Sequence, residues 1–319
     1  MAAALQPGLD MCDLRRITAA DLDPLLREET EFWRTTLDWD FERSADLVRK
    51  FVDLRSLSGA ALVNSSGVVG YAYSVIEEHK GLIGDLYVRQ EYRTPDNEYR
   101  LLSHVLEEVV ATAFIRRVES QLILLGSVSR RLPRMNQLQI FERAFLEIDT
   151  ELAVDLAPAA PPGVAIEPWL AHHQEAAAHV IVGAYANHVD SLINDQYRSL
   201  GGARRFLYNI VQYPGCGNFL LEASLAAFER ESGWMCGLCL ASMVGPQTGH
   251  VTQLCVSRTT RGKRLGYEMM RQSLLLMRLR GCRRVSLTVT ASNHVAVDLY
   301  SKMGFRSLRK FPALVWEGF

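Results

Sequence analysis

The hydrophobic and polar positions change period several times along the chain, and each change marks an element. Residues 13–17 predict a short first strand. Thr18 to Asp21 open a helix that runs to about Trp33, and an amphipathic segment follows over 41–54. Alternation over 59–63 and 68–73, joined by Asn64, Ser65, Ser66 and Gly67, predicts a hairpin. Residues 82–88 read as a strand, 100–116 as a long helix, 122–128 as a strand and 137–145 as a helix. Pro158, Pro161 and Pro162 then stand among small residues in 157–163, which predicts a linker. Beyond it come a strand over 164–167, a helix over 170–187 and a partly helical stretch over 195–211. Paired strands over 218–228 and 234–243 lead to a β-branched strand over 251–256. A polar, basic turn and a helix from Leu265 follow, then a strand over 285–290 and a short helix ending at Gly304 and Phe305.

The second series repeats the first. VRQEYR from Val88 falls on VSRTTR from Val256, an offset of 168 (256 − 88) that also sets Tyr99 on Tyr267. Gly70 falls on Gly237 with an offset one smaller. Such self-similarity predicts one fold used twice: a domain over 1–156, the linker over 157–163 and a second domain over 164–319. A length of 319 residues suits two domains.

The candidate chemistry lies in the second copy, where a strand feeds a glycine-bearing turn that opens a helix. A helix N-terminus presents unpaired N–H groups and a partial positive charge. Arg261, Lys263 and Arg264 add three cations there. The combination predicts a site for a phosphate or pyrophosphate. A Walker loop requires Ser or Thr after Gly-Lys, where Arg264 stands. The dinucleotide fingerprint requires a glycine spacing that Gly262 and Gly266 do not have. In the first copy Thr94, Pro95, Asp96, Asn97 and Glu98 occupy these positions. Both glycines are gone and two carboxylates are present, which disfavours a pyrophosphate.

Taken with Asn293 after the following strand and Tyr300 four residues before Gly304-Phe305, this stretch resembles the GNAT superfamily of acyl-CoA-dependent N-acetyltransferases. Their loop reads Gln/Arg-x-x-Gly-x-Gly/Ala. Arg261 and Gly266 match its ends, and Arg264 departs from its fourth position. The resemblance implies two tandem GNAT folds, each a mixed, mostly antiparallel sheet flanked by helices, with a degenerate N-terminal copy. It implies acetyl-CoA as co-substrate and an amine of a small molecule or peptide as acceptor. The pantetheine arm would lie along Leu254, Cys255 and Val256 and meet Asn293. The pyrophosphate would be held by Arg261, Gly262, Lys263, Arg264, Leu265, Gly266 and Tyr267, and Tyr300 would protonate the leaving thiolate. A non-catalytic acyl-CoA-binding module is the alternative. By position in the first copy, Ala144-Phe145 falls on Gly304-Phe305, which sets Ile140 opposite Tyr300.

Many relatives place a base on the strand before the loop, but Gln253 stands there. His250 on the same strand and Glu222 on a neighbouring one are the candidates, with His188 and Asp190 in the segment that would roof the acceptor. A net charge of −1 gives no general attraction to nucleic acid or anionic membrane. The six cysteines form no disulfide framework, which predicts free thiols and a cytoplasmic protein. Cys236 and Cys239 lie within a strand-like run, with no second pair at metal spacing, so no metal is expected. The start of the chain lacks the pattern of a secretory leader, and no apolar run reaches membrane-spanning length.

Overall fold

The computed structural model describes residues 8–125, 132–213 and 215–319. In chain order these form β1 (Asp10–Asp13), α1 (Ala19–Leu37), α2 (Glu42–Asp53), β2 (Ser58–Asn64), β3 (Gly67–Glu77), β4 (Lys80–Val88), α3 (Pro95–Val110) and β5 (Arg117–Gln121). Next come β6 (Leu138–Asp149), β7 (Val164–Pro168), α4 (Gln174–Tyr185), α5 (Val189–Ile193), α6 (Leu200–Gln212), β8 (Asn218–Phe219), β9 (Leu225–Glu229) and β10 (Met235–Gly245). The chain closes with β11 (Thr248–Val256), α7 (Leu265–Leu279), β12 (Arg284–Thr290), α8 (His294–Met303) and β13 (Arg306–Glu317).

Two compact units result. The first takes the chain up to residue 36, 41–142 and 311–319; the second takes 37–40 and 143–310. Among the described residues of the first, the strand order is β1-β2-β3-β4-β5-β13, with β4 and β5 the parallel pair. Among the described strands of the second it is β6-β12-β11-β10-β9-β7, with β8 on β10 and β11 and β12 the parallel pair. Each unit thus takes its closing strand from the other half of the sequence. Ala313–Glu317 pair with Arg117–Gln121, and Arg143–Asp149 pair with Arg284–Thr290.

The helices lie where their apolar spacing puts them. On α3, Leu101, Val105 and Val109 recur at four-residue intervals, with Leu102 and Leu106 beside them, and all are buried in the first core. On α7, Leu265, Met269, Met270, Leu274 and Met277 are buried against one face of the second sheet. Ala177, Ile181, Leu207 and Ile210 of α4 and α6 pack into a separate core with Leu238 and Leu240 of β10. Burying each Leu or Met contributes about 1.5–3 kcal/mol.

Two expectations are corrected. Residues 137–145 are not an α-helix: Gln137 ends a short 3-10 turn and Leu138 begins the twelve-residue strand β6, whose Ala144–Ile148 stretch is buried. Leu138, Ile140, Phe141, Ala144 and Phe145 fit a helical period, but the backbone is extended throughout and pairs with β12 from Arg143 onward. Ile140 is therefore on a strand and has no structural equivalence to Tyr300 on α8. The strand expected over 122–128 ends at Gln121, and 126–128 lie outside the described residues.

Candidate active site

β11 and β12 pair only from Thr248/Arg284 to Val251/Leu287, yet β11 continues to Val256 and β12 to Thr290. The parallel strands therefore part. A bulge contributes: Leu240 pairs with Gln253 and Ala241 with Val251, leaving Thr252 as the extra residue. Its hydroxyl donates to the Leu240 carbonyl at 3.1 Å. Beyond the bulge the Ser257 N–H donates to the Cys236 carbonyl. Alternation then turns the backbone groups of Leu254 and Val256 away from β10 and into the gap. The Cys255 side chain points to the α4–α6 core, and burial pushes its thiol up to about 12.

At the end of β11 the turn folds around two positive-φ residues, Gly262 at 77° and Arg264 at 61°. Arg264 is the N-cap of α7 and makes no side-chain cap. The N–H groups of Leu265, Gly266 and Tyr267 have no carbonyl one turn earlier within the helix, so they face outward. A Cβ on Gly266 would meet only the Val256 side chain, at 4.0 Å. The three loop cations divide their work. Arg261 donates to the Ala184 carbonyl at 2.6 Å, bracing the turn on the end of α4. The Arg264 guanidinium lies 4.8 Å from the Tyr267 ring centre, and Lys263 is exposed. The Tyr267 hydroxyl donates to the Ala157 carbonyl at 2.8 Å.

Tyr300 on α8 is 8% exposed and packs 5.5 Å from Phe305. Burial raises its hydroxyl well above the ordinary phenol value, and Cys239, Asp190 and Cys255 add to the rise, so it stays protonated at neutral pH. Asn293 caps α8 by accepting from the Ala296 N–H at 3.3 Å. Gln253 donates to the Tyr185 hydroxyl at 3.0 Å and accepts from Tyr197 at 3.4 Å, while the two tyrosine rings stack at 4.3 Å.

The two candidate bases stand elsewhere. His250 lies on the paired part of β11, with Nδ1 2.8 Å from the Ser286 hydroxyl, Trp39 edge-on and Phe145 stacked. Burial, helped by Arg143, drives its pKa down to about 3. It is a neutral imidazole packed in an aromatic box. Glu222 is exposed and pairs at 3.1 Å with Arg280, beyond the far end of α7. Fifteen helical residues, about 22 Å, separate that end from the loop.

Nearer the mouth of the gap, Asp190 accepts a hydrogen bond from the Thr290 hydroxyl at the end of β12. His188 caps α5, its Nδ1 accepting from the Asp190 N–H at 3.1 Å. Two residues back along β12, Thr288 accepts from Arg143 of β6 at 3.0 Å. Arg143 carries no sequence signal for this place, because it precedes the proline-rich linker and reaches the site only through the exchanged strand. Among the described residues no cluster of His, Cys, Asp and Glu suits a metal ion, and no helix is long and apolar enough to cross a membrane.

A parted pair of parallel strands, a bulge at the parting and an uncapped helix after it leave the Leu254 and Val256 backbone open on one side of β11. Residues 188–305 match the model of the acetyltransferase (GNAT) family. The whole chain is similar in fold to a GCN5-related N-acetyltransferase from Sphaerobacter thermophilus, with a TM-score of 0.69, 18% identity, and coverage of 98% of this chain and 97% of that one. It is also similar to a tandem GNAT protein from the clavulanic acid biosynthesis pathway, with a TM-score of 0.58, 14% identity, and coverage of 97% and 98%. No curated protein matches the sequence. The fold is that of GNAT acetyltransferases: mixed, mostly antiparallel sheets flanked by helices.

Proposed function

We propose that the protein transfers an acetyl group from acetyl-CoA to an amine, and that the second unit carries the reaction. The observation that supports this most is the uncapped start of α7 at the end of a strand whose backbone faces an open gap. The N–H groups of Leu265, Gly266 and Tyr267, with Lys263 and Arg264, would bind the pyrophosphate. Arg261 would hold the turn in place from α4. The Leu254 and Val256 backbone would pair with the pantetheine amides as an added strand. Asn293 still has its amide N–H groups to offer beyond the cap it makes.

The acceptor ammonium would lose its proton to Asp190 or to water. Its nitrogen would then attack the thioester carbon, whose oxyanion a gap-facing N–H would stabilise. As the C–S bond breaks, Tyr300 would give its proton to the departing sulfur and recover one from solvent. His250 is closed off by its aromatic neighbours and Glu222 is paired beyond the far end of α7, so we assign neither the base.

The first unit would be a degenerate copy with a structural role. Its helix start is capped by its own Thr94, and Arg93 donates across to the Leu124 carbonyl. A non-catalytic CoA-binding module is the second reading, favoured by Gln253 in place of a carboxylate. Calorimetry with CoA, followed by thiol release from acetyl-CoA over a panel of amines, tests both. Micromolar binding with turnover lost in Tyr300→Phe supports the enzyme. Binding without turnover on any amine supports the module, and no binding at all refutes both.

A further inference from the structure

One amide on β11 holds two tyrosines and leaves one of their hydrogens over. Gln253 is the first residue beyond the bulge, and its backbone pairs with Leu240 of β10. Gln253 is buried, and its side chain reaches Tyr185 and Tyr197, whose rings stack with centres 4.3 Å apart. Phe206 packs edge-on to Tyr197 at 4.9 Å, and His188 packs edge-on to Tyr185 at 5.2 Å. Both rings are thus fixed, one hydroxyl at each end of the amide.

The hydrogens can be counted. The Gln253 amide N–H donates to the Tyr185 oxygen at 3.0 Å, and the Tyr197 hydroxyl donates to the Gln253 side-chain carbonyl at 3.4 Å. Tyr197 has used its hydrogen, whereas Tyr185 has only received one. Among the described residues nothing accepts the Tyr185 hydrogen, although Tyr185 is only 9% exposed. Turning the amide over would hand the spare hydrogen to Tyr197 and not remove it. A buried donor without an acceptor is unfavourable unless a ligand supplies one. Burial, with Tyr197, Cys255 and Asp190 adding to the rise, holds the Tyr185 hydroxyl well above the ordinary phenol value, so the hydrogen is present at neutral pH.

We propose that the Tyr185 hydroxyl is a catalytic donor to the thioester oxygen, and that Gln253 is the positioning residue that turns its hydrogen toward that oxygen. This rests on the acetyl-transfer reading above. An arm that starts at the α7 turn and runs back along β11 passes Val256, then Leu254, and brings its thioester to Gln253 and the bulge. When the amine nitrogen bonds to the carbonyl carbon, the C=O pair moves onto oxygen, where Tyr185 and a gap-facing N–H hold the charge. The pair returns as the C–S bond breaks and Tyr300 protonates the sulfur, and Tyr185 keeps its own proton throughout. The amide at 253 then has a reason. A carboxylate there can only accept, so it would claim the Tyr185 hydrogen and leave the oxyanion without it.

The test uses the full chain, acetyl-CoA and the amine of the panel that is turned over fastest, with rates read as thiol release. Tyr185→Phe, which keeps the ring in its stack, should lower kcat by about 10²- to 10³-fold while the Kd for CoA in calorimetry stays within about twofold. Tyr197→Phe should lower kcat by only about 2- to 12-fold, the value of one neutral hydrogen bond. Gln253→Glu at pH 8 should lose about as much as Tyr185→Phe. Its loss relative to the wild type should shrink as pH falls and the introduced carboxyl takes up a proton that it can donate to Tyr185. Were 253 instead the place of a base, the same change would raise kcat/KM, and most at high pH. An unchanged kcat in Tyr185→Phe, a larger loss in Tyr197→Phe than in Tyr185→Phe, or a gain in Gln253→Glu overturns the inference and leaves acetyl transfer standing. Melting curves identify a variant that has not folded, and the remaining ones then decide. No binding of CoA, or binding without turnover on any amine, overturns acetyl transfer and this inference with it.

Discussion

The turns that open α3 and α7 start from the same strand geometry and end in opposite chemistry. In both units the strand before the turn carries a bulge, at Gly84 in β4 and Thr252 in β11, 168 residues apart. In both, its parallel partner pairs for four residues and then stops, at Ile83/Ser120 and Val251/Leu287. In both, the residue after the strand donates to the same carbonyl of the neighbour, Arg89 to Val69 and Ser257 to Cys236. After that they diverge. Thr94 accepts from the Asn97 N–H at 3.2 Å, Pro95 has no N–H to offer, and Asp96 and Glu98 answer the helix dipole. Arg93 pairs with Glu98 at 3.0 Å. The first helix start is satisfied by its own chain; the second has glycine and cations and leaves its N–H groups outward. One strand geometry thus carries both a capped and an open helix start, so the loop sequence, not the sheet, decides which N–H groups face outward.

The contrast is most sharply tested at Tyr300, a residue with no counterpart in the described part of the first unit. Tyr300→Phe should lower kcat by about 10²- to 10⁴-fold with little change in KM for acetyl-CoA, as read by initial-rate thiol release. Next comes transplantation. Replacing Gly262 to Gly266 by the TPDNE of the first turn should weaken CoA binding by roughly 100-fold or more in calorimetry, since at least one or two charge-assisted bonds are lost. An unchanged Kd would mean that the open helix start is not the anchor.

The units should also respond oppositely to pH. In the first, Glu29 and Asp85 share a buried site with Tyr71, which donates to Glu29 at 2.9 Å, and Trp33. Burial and the neighbouring Asp85 hold Glu29 well above its ordinary 4.5. Its contribution to stability is complete below pH 4.5 and is lost as pH rises toward the raised value. Glu29→Gln, whose amide can donate to Asp85, should raise the melting temperature at pH 8 by roughly 2–4 °C and flatten this dependence. His250 in the second unit behaves the other way. Its contribution is complete above 6.5 and is lost as pH falls toward about 3. Melts between pH 4 and 9 should show both slopes.

The smallest effect is at Arg264. Left-handed backbone there costs about 1–2 kcal/mol, which Arg264→Gly removes, together with a cation–π contact of about 0.5–1 kcal/mol. Stability should rise by no more than about 1 kcal/mol in denaturant unfolding, while CoA binding weakens only a few-fold.

Much of the site was legible because it is contiguous. Strand, turn, helix, strand and helix follow one another from β11 to α8, and each carries local signals: β-branched runs, Gly262, and apolar spacing on α7. Arg264 stood out as a departure, and the structure shows why a glycine suits that place: φ is positive. What could not be read came from distant chain. The arginine beside Thr288 belongs to β6, and the residues of β6 fit helical and strand periods equally until pairing decides. His250 looked like a base because its sequence neighbours are those of a site strand; only Trp39 and Phe145, far away in sequence, show that it is enclosed.

The exchanged closing strands have one further consequence. A protease clip at Pro158 to Pro162 would leave two fragments, each retaining a strand that completes its sister. Expressed separately, residues 164–319 would display the bare Arg284–Thr290 edge and lack the cation supplied from β6. The halves should then regain activity only by complementation, when both are present in the same tube.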